Sequence, residues 1–456
     1  MAAEKRTLFG TDGIRGTAGS FPLDRKTTRA IGEALGHCLA RIHKGRIRVV
    51  IGEDTRESSP WIAASVAEGL ALAGVTAESA GVLTTPGVAF LARTREVAAG
   101  VVISASHNPW RDNGIKIFAH DGYKLADSAE LEIEREIFER IAKANGKGEP
   151  GPPEPLSSVS GLHQQYLRWL VAYWHEKSGR QLKVVADCAN GAASAYASEL
   201  FGACGIKAEI IHAQPDGRNI NENCGALHPE VVAREVVARS ADVGVSFDGD
   251  ADRCLFADGQ GRVVNGDAVL LLTGRQMKAA GHLKGDTIVA TTMSNMGLEA
   301  ALKREGIRML RAPVGDKYVL EEMKIAGAVL GGEQSGHIIF RDTEATTGDG
   351  LLTALRVLGI VAQSGKPLAE SIADLKVFPQ TIRNVRVREK KPFEEIPQVA
   401  HAIAVAEQQL DGNGRVVVRY SGTESLARVM VEAESEQQMR QHAEAIASAL
   451  QQAIGV

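Results

Sequence analysis

Asp248-Gly249-Asp250-Ala251-Asp252-Arg253 sets three carboxylates at alternate positions directly after an apolar run. In extended backbone, residues i, i+2 and i+4 point to one side, so the three converge on one point. Carboxylates that close repel one another unless a cation joins them. An all-oxygen donor set suits Mg²⁺ far better than zinc. The EF-hand pattern fails, because the sixth position of the loop is Arg253 instead of Gly and the twelfth is Gly259 instead of Glu. The bland alternative is a solvated acidic turn.

Four other segments carry chemistry. Ser104-Ala105-Ser106-His107-Asn108-Pro109 follows the apolar Gly100-Val101-Val102-Ile103. Asn-Pro is a turn signal, so Ser106 and His107 are either turn residues or a nucleophile beside an imidazole. No G-x-S-x-G elbow is present to decide between them. Lys116, in Asn113-Gly114-Ile115-Lys116, is an acid/base candidate if its ammonium pKa is depressed, and an ordinary surface lysine otherwise. Glu333, Gln334, Ser335 and His337 bring a carboxylate, an amide, a hydroxyl and an imidazole into one short run. That set suits a polyol, although a polar helix-start turn has the same composition. Arg419, Ser421, Gly422 and Thr423, with Arg428 following, offer two guanidinium groups, two hydroxyls and free backbone amides. They read as a phosphate clamp, with a plain charged hairpin as the alternative. The Gly-spaced Thr11-Asp12-Gly13-Ile14-Arg15-Gly16 adds one more arginine but no P-loop, and no G-x-G-x-x-G follows a strand. ATP and NAD are therefore not implied. A Mg²⁺ site, a serine, a polyol reader and a phosphate clamp together describe phosphoryl transfer on a phosphosugar without a nucleotide, the serine carrying the phosphate.

The elements that position these loops repeat. Short β-branched runs alternate with helix-patterned stretches to about residue 370, which predicts α/β layers with mixed, mainly parallel sheets. The first strands of three units are Ile47–Ile51, Lys183–Ala186 and Thr287–Ala290, each leading through a polar turn into a helix. Second strands follow at Val75–Ala77, Ile206–Ile210 and Ile307–Leu310. Third strands run into SASHNP, FDGDADR and GGEQSGH, so three unlike loops hold one topological position. Ligands of open α/β sheets bind beyond the carboxyl ends of strands, so the loops are expected to meet at one cleft. The stretch 145–160, rich in Pro, Gly and Ser, reads as a linker, with further breaks near Asp258-Gly259-Gln260-Gly261 and Ser364-Gly365-Lys366-Pro367. Four domains follow: 1–150, 151–258, 259–366 and 367–456. The last is a small α+β domain, with strands at QTIRNVRV, RVVVRY and LARVMV. One of its helices carries Val399, Ala400, Ile403, Ala406 and Leu410, and a final helix carries Met439, Ala443, Ile446, Leu450 and Ile454.

Composition narrows the class. The chain has 456 residues, 44% hydrophobic and 24% charged, with a formal net charge of −4. That is a globular protein without the basic footprint of a nucleic-acid binder. No apolar run reaches the ~18 residues of a membrane span, and MAAEKRTLFG is no signal peptide. A cytoplasmic protein is expected. The five cysteines (Cys38, Cys188, Cys204, Cys224 and Cys254) form no C-x-x-C pair and read as free thiols.

SASHNP, FDGDADR, GEQSGH and RYSGTES resemble, in order, the phosphoserine, metal, sugar and phosphate loops of the α-D-phosphohexomutases, and the resemblance spans essentially the whole chain. LFGTDGIRG and Gln334 are similar to the branch that acts on glucosamine phosphate; the phosphomannomutase/phosphoglucomutase branch usually has Met at the Gln334 position. The resemblance implies four domains around a central cleft, with the phosphate on Ser106. It implies Mg²⁺ on Asp248, Asp250 and Asp252, with the phosphoserine as a further ligand. Arg15, His107 and Lys116 would surround the transferring phosphate. Arg253, Glu333, Ser335 and His337 would face the sugar, and Arg419, Ser421, Gly422, Thr423 and Arg428 would hold the non-reacting phosphate. The implied reaction interconverts glucosamine 6-phosphate and glucosamine 1-phosphate through glucosamine 1,6-bisphosphate, in a monomer or homodimer whose partner is the small phosphosugar. Tyr420, Ser425 and Ala427 depart from the usual Pro, Pro and Ile of the phosphate loop, and Lys317 stands where Arg is common. The rival functions are a phosphomannomutase or phosphoglucomutase of the same mechanism, and a catalytically silent phosphosugar-binding protein.

Overall fold

The structure, a computed structural model, describes residues 6–143, 150–174, 180–421 and 425–456. The first part of the expected linker, 145–149, lies outside them. Contacts divide the chain into two compact units, one formed by residues up to Thr292 with Leu310–Ile372, the other by Met293–Met309 with Ala373–Val456.

The first unit contains three sheets of related plan. In the first, Arg48–Glu53 lies between Thr76–Val82 and Ala99–Ile103, all parallel. Val49, Val50 and Ile51 are buried on both faces, which is why this strand reads as a continuous apolar run instead of an alternating one. Asp112–Ala119 then returns antiparallel to Ala99–Ile103, and Gly13–Thr17 and Phe9–Gly10 extend the edge. The second sheet repeats the parallel trio with Lys183–Asp187 between Lys207–Ile211 and Val243–Phe247, and Cys254–Asp258 returns antiparallel. In the third, Thr287–Thr291 is parallel to Leu330–Gly332, and Ile338–Phe340 returns antiparallel.

The repeat therefore includes a reversal that periodicity alone does not reveal. Each third strand turns back into an antiparallel fourth, and the chemistry-bearing loops are these turns. Phe247 sits opposite Cys254, leaving only Asp248–Arg253 to close the reversal. Gly332 sits opposite Ile338, leaving Glu333–His337. Such tight closure holds side chains at the carboxyl ends of the parallel strands, where they are fixed from both sides.

The helix Gly350–Ser364 buttresses the metal loop. Gly350 N–H donates to the Ala251 carbonyl at 2.9 Å, and a Cβ at Gly350 would stand 2.6 Å from the Arg253 carbonyl oxygen. Asp349 caps this helix, accepting from Leu352 N at 2.9 Å and from the Tyr166 hydroxyl at 2.8 Å. Burial pushes its carboxyl up to about 6. A free aspartate titrates near ~4, so between about pH 4 and 6 the unfolded chain gives up this proton and the folded chain keeps it. Stability from this group is thus full below about pH 4 and falls by about 3 kcal/mol as pH rises to about 6. Asp349→Asn keeps an N-cap acceptor without the charge. Its melting temperature relative to the wild type is expected to climb across that window; parallel curves would show that Asp349 ionises normally.

The second unit is built on an antiparallel sheet in the order Gln380–Arg386, Leu426–Ala433, Gly414–Tyr420. Helices Pro397–Leu410 and Glu436–Ile454 cover it. Met439, Ala443, Ile446, Leu450 and Ile454 all face its core, as their spacing predicts. Of the other helical face, Val399, Ala406 and Leu410 are buried and Ala400 and Ile403 half-buried. The helix Met296–Arg304 groups with this unit. Met296 N–H donates to Glu432 at 2.7 Å, and the Asn295 side chain bonds both the N–H and the carbonyl of Phe378.

All five cysteines are buried and none is in a disulfide. Among the described residues, no helix is long and apolar enough to cross a membrane.

Candidate active site

Ser106 sits at the start of its reversal loop with φ of 53°, a left-handed backbone that aims its side chain at the neighbouring metal loop. Its hydroxyl donates to Asp248 Oδ2 at 2.6 Å and lies 3.4 Å from His107 Nδ1. Asp248, Asp250 and Asp252 are all buried, and each offers an oxygen within 4.8 Å of the others. Burial, together with Asp252 and Asp250, holds the Asp248 carboxyl well above the usual carboxylate range. Asp250 Oδ1 and Asp252 Oδ1 are buried without a hydrogen-bond partner. Clustered carboxylate oxygens with spare lone pairs fit a hard divalent cation. The three converge as expected but on a turn, with Ala251 at φ of 55° and its N–H donating to the Asp248 carbonyl at 3.0 Å, instead of on extended backbone.

Lys116 is not a surface lysine. It is 1% exposed, and its ammonium lies 2.9 Å from Asp12, 2.8 Å from Asp250 and 3.3 Å from Asp252. Burial alone would lower its pKa, but Asp12, Asp250 and Asp252 outweigh burial and hold it well above the usual lysine value. The depressed ammonium expected for an acid/base role is thus reversed, because the carboxylates that would bind metal also surround the lysine. His107 goes the other way. Burial, with Arg253 and Arg15 nearby, pulls its pKa to about 4, so the imidazole is neutral at pH 7.

A cavity of about 390 Å³ opens beside this cluster, within the size range of small-ligand sites. Arg15, His107, Asp252, Arg253, Glu333 and His337 line it, so residues from all three reversal loops and from the amino-terminal loop share one wall. Arg15 pairs with Asp12. Glu333 accepts from Gly315 N at 2.9 Å. His337 Nε2 accepts from Gly348 N at 2.9 Å, which puts the proton of its neutral form on Nδ1, facing Asp252. Ser335 donates to Glu333 Oε2 at 3.3 Å and so orients that carboxylate from outside the cavity wall. Gln334 is turned elsewhere, its amide donating to Asp267 at 3.2 Å.

In the second unit, Arg419 and Arg428 are direct cross-strand partners at the end of the hairpin. Ser421 is buried, and its carbonyl accepts from Lys390 Nζ at 2.6 Å. Tyr420, in place of the usual Pro, stacks on Phe393 at 4.3 Å and donates its hydroxyl to the Lys391 carbonyl. Gly422 and Thr423 lie outside the described residues.

Four segments match phosphoglucomutase/phosphomannomutase domains: residues 6–144 the α/β/α domain I, 164–261 domain II, 265–378 domain III and 383–449 the C-terminal domain. A phosphoglucosamine mutase of Koribacter versatilis is 61% identical over 456 residues, covering 99% of this chain and 98% of that protein. The chain belongs to the α-D-phosphohexomutase family. A second phosphoglucosamine mutase, from Solibacter usitatus, is 54% identical, covering 99% of each chain. The crystal structure of a phosphoglucomutase/phosphomannomutase family protein from Burkholderia thailandensis superposes with a TM-score of 0.78 at 26% identity, over 98% of this chain and 97% of that one.

Folding this phosphohexomutase adds residues the motifs did not mark. Asp12 bridges Lys116 and Lys124, and Lys124 also reaches Asp316, the first residue of the helix Asp316–Ala326. Thr85 donates its hydroxyl to Asp250. Asp12 was within reach from its place in the same Gly-spaced loop as Arg15; Lys124 and Thr85 sit in segments with no motif. Lys317 pairs with Asp127, which turns it from the position expected for a phosphate-binding arginine. A second mixed cluster, Asp187, His212 and Cys224, is engaged differently. The Asp187 carboxylate accepts from Ala189 N and Gly225 N, and burial pushes the Cys224 thiol up to about 12. Its donors serve loop closure.

Proposed function

We propose that this phosphohexomutase interconverts glucosamine 6-phosphate and glucosamine 1-phosphate, with Ser106 as phosphate carrier, Mg²⁺ as the metal and glucosamine 1,6-bisphosphate as the intermediate. The observation that carries the reading is the Ser106 hydroxyl donating at 2.6 Å into the Asp248, Asp250, Asp252 cluster beside a cavity of sugar-phosphate size. The choice of sugar rests on the phosphoglucosamine mutases among its relatives.

Phospho-Ser106 gives its phosphoryl group to the free hydroxyl of the bound monophosphate. The sugar O–P bond forms as the Oγ–P bond breaks, and the hydroxyl proton passes to a neutral acceptor on the wall, where His107 faces Ser106 Oγ. The bisphosphate turns around, and its other phosphoryl group returns to Ser106. Held by Asp248, Asp250, Asp252 and the phosphoserine, Mg²⁺ would neutralise charge on the phosphoryl oxygens. Lys116 offsets one charge of the carboxylate cluster, Arg15 offers a guanidinium donor to the transferring phosphate, and Arg253 offers one to the sugar. Glu333 and His337 offer hydrogen bonds to ring hydroxyls. Arg419, Ser421, Gly422, Thr423 and Arg428 take the phosphate that is not reacting, and because they read only phosphate they accept the sugar in either direction. The five buried thiols suit the reducing cytoplasm.

The test is turnover of glucosamine, glucose and mannose phosphates under one bisphosphate activator and one Mg²⁺ concentration. The glucosamine substrate is expected to have at least a tenfold higher kcat/KM, about 1.4 kcal/mol of differential transition-state binding. An equal or higher value for glucose or mannose phosphate would assign the chain to the phosphomannomutase/phosphoglucomutase reading. No turnover of any of the three would support a silent binding protein.

A further inference from the structure

Two residues outside the motifs converge on the backbone of the phosphoserine loop. Arg56 follows the first strand of the first sheet and is 1% exposed. Its Nη2 donates to the Ser106 carbonyl at 3.0 Å and to the Asn108 carbonyl at 2.6 Å, while its Nη1 pairs with the buried Asp54. Asn221 comes from the loop after the second strand of the second sheet and is 7% exposed. Its Nδ2 donates to the same two carbonyls, at 3.0 and 3.2 Å. Gly249 of the metal loop closes the remaining side, where an added Cβ would stand 2.5 Å from the Ser106 carbonyl oxygen.

Each carbonyl thus receives two donors, one from each side chain. The Arg56 segment is itself tied to the second sheet's loops, by Thr55 Oγ1 to the Asn190 carbonyl at 2.6 Å and by Glu57 N to the carbonyl of Gly217, on the Asn221 loop, at 3.0 Å. The grip has a reason. Ser106 holds a left-handed φ of 53°, a conformation L residues rarely keep unaided. Relaxing it rotates the peptide, and that rotation carries Oγ away from Asp248.

We infer that Arg56 and Asn221 are positioning residues for phosphoryl transfer, fixing the direction in which Ser106 Oγ offers and accepts the phosphate by holding the carbonyls of residues 106 and 108. The inference rests on Ser106 as the phosphate carrier. Neither residue lines the cavity. Transfer needs the attacking and leaving oxygens in line, so a small rotation of Oγ slows the chemical step without weakening sugar binding.

Asn221→Gly isolates the effect, because Asn221 itself has φ of 59°, which glycine adopts without strain. Wild-type and variant enzymes are charged with labelled phosphate from glucose 1,6-bisphosphate, the label is mapped to its residue, and its transfer to glucosamine 6-phosphate is followed in a single turnover. The expected result is a transfer rate at least tenfold lower in Asn221→Gly, with KM within about twofold and a melting temperature lowered only by what two lost hydrogen bonds cost, with the variant folded at the assay temperature. Arg56→Lys keeps the charge beside Asp54 but lacks the planar fork, and the same loss is expected there, which serves if Asn221→Gly does not fold. A folded variant that transfers at the wild-type rate overturns the positioning role, as does a lowered melting temperature with transfer unchanged. Wild-type enzyme that takes no label on Ser106 overturns the carrier reading instead.

Discussion

Ser106→Ala is expected to lower mutase turnover by ~10³-fold or more while the protein still folds. Ser106 is 1% exposed and its hydroxyl donates to Asp248, so losing the hydroxyl removes the group that would bear the phosphate. The structural cost is small by comparison, about 1 kcal/mol for one hydrogen bond. Alanine carries some strain at a φ of 53°, and Ser106→Gly removes the hydroxyl without it. Both variants should therefore lose activity equally, whatever their difference in melting temperature. Peptide mapping of the wild-type enzyme should find phosphate on Ser106. Full turnover in either variant would mean that another residue carries the phosphate.

Asp248→Asn is expected to act in opposite directions on activity and on metal-free stability. Asp248 is buried beside Asp250 and Asp252, and this crowding holds its carboxyl up. A neutral amide of the same shape relieves the repulsion; its oxygen can keep the bond from Arg253 N while its NH2 donates to the Ser106 hydroxyl. In EDTA, the variant should melt higher than the wild type. With Mg²⁺ the order should reverse, because the wild type gains about 2.7 kcal/mol at a hundredfold excess over Kd and the variant gains little. Turnover in Mg²⁺ should fall by ~10²-fold or more, since even outer-shell partners of a metal contribute 10–100-fold. Near-normal turnover of the variant in EDTA would remove the metal from the mechanism. Melting curves that ignore Mg²⁺ in the wild type would remove it from the site.

The reversal loops were legible in the sequence because their chemistry is local. Asp248, Asp250 and Asp252 converge within one short loop that needs no distant partner, although through a tight turn with Ala251 at φ of 55° and not through extended backbone, and Ser106 and the Glu333–His337 run lie at the ends of apolar strands whose composition marks burial. The helix Glu436–Ile454 was legible for the same reason, since its apolar period records which face is covered. Periodicity says that a strand or helix is buried but not against what. It therefore left unstated the antiparallel return of the fourth strands, and it joined the helix Met296–Arg304 to its sequence neighbours, whereas Glu432 and Phe378 hold it in the C-terminal unit.

The sequence by itself thus determined the reaction class and marked most of the candidate groups, since these are properties of residue type and short spacing. Tertiary structure decided what charge each group bears and which way it points. Lys116 is read as a possible base until Asp12, Asp250 and Asp252 close around it and keep it cationic, and Asp250 is 134 residues away in sequence. Gln334 sits inside a sugar-reading motif, yet its amide is spent on Asp267. Arg56 and Asn221 carry no motif, and they meet only because two domains pack their loops against the backbone of Ser106. Protonation and orientation depend on neighbours in space, and for a buried charge those neighbours come from wherever the chain returns.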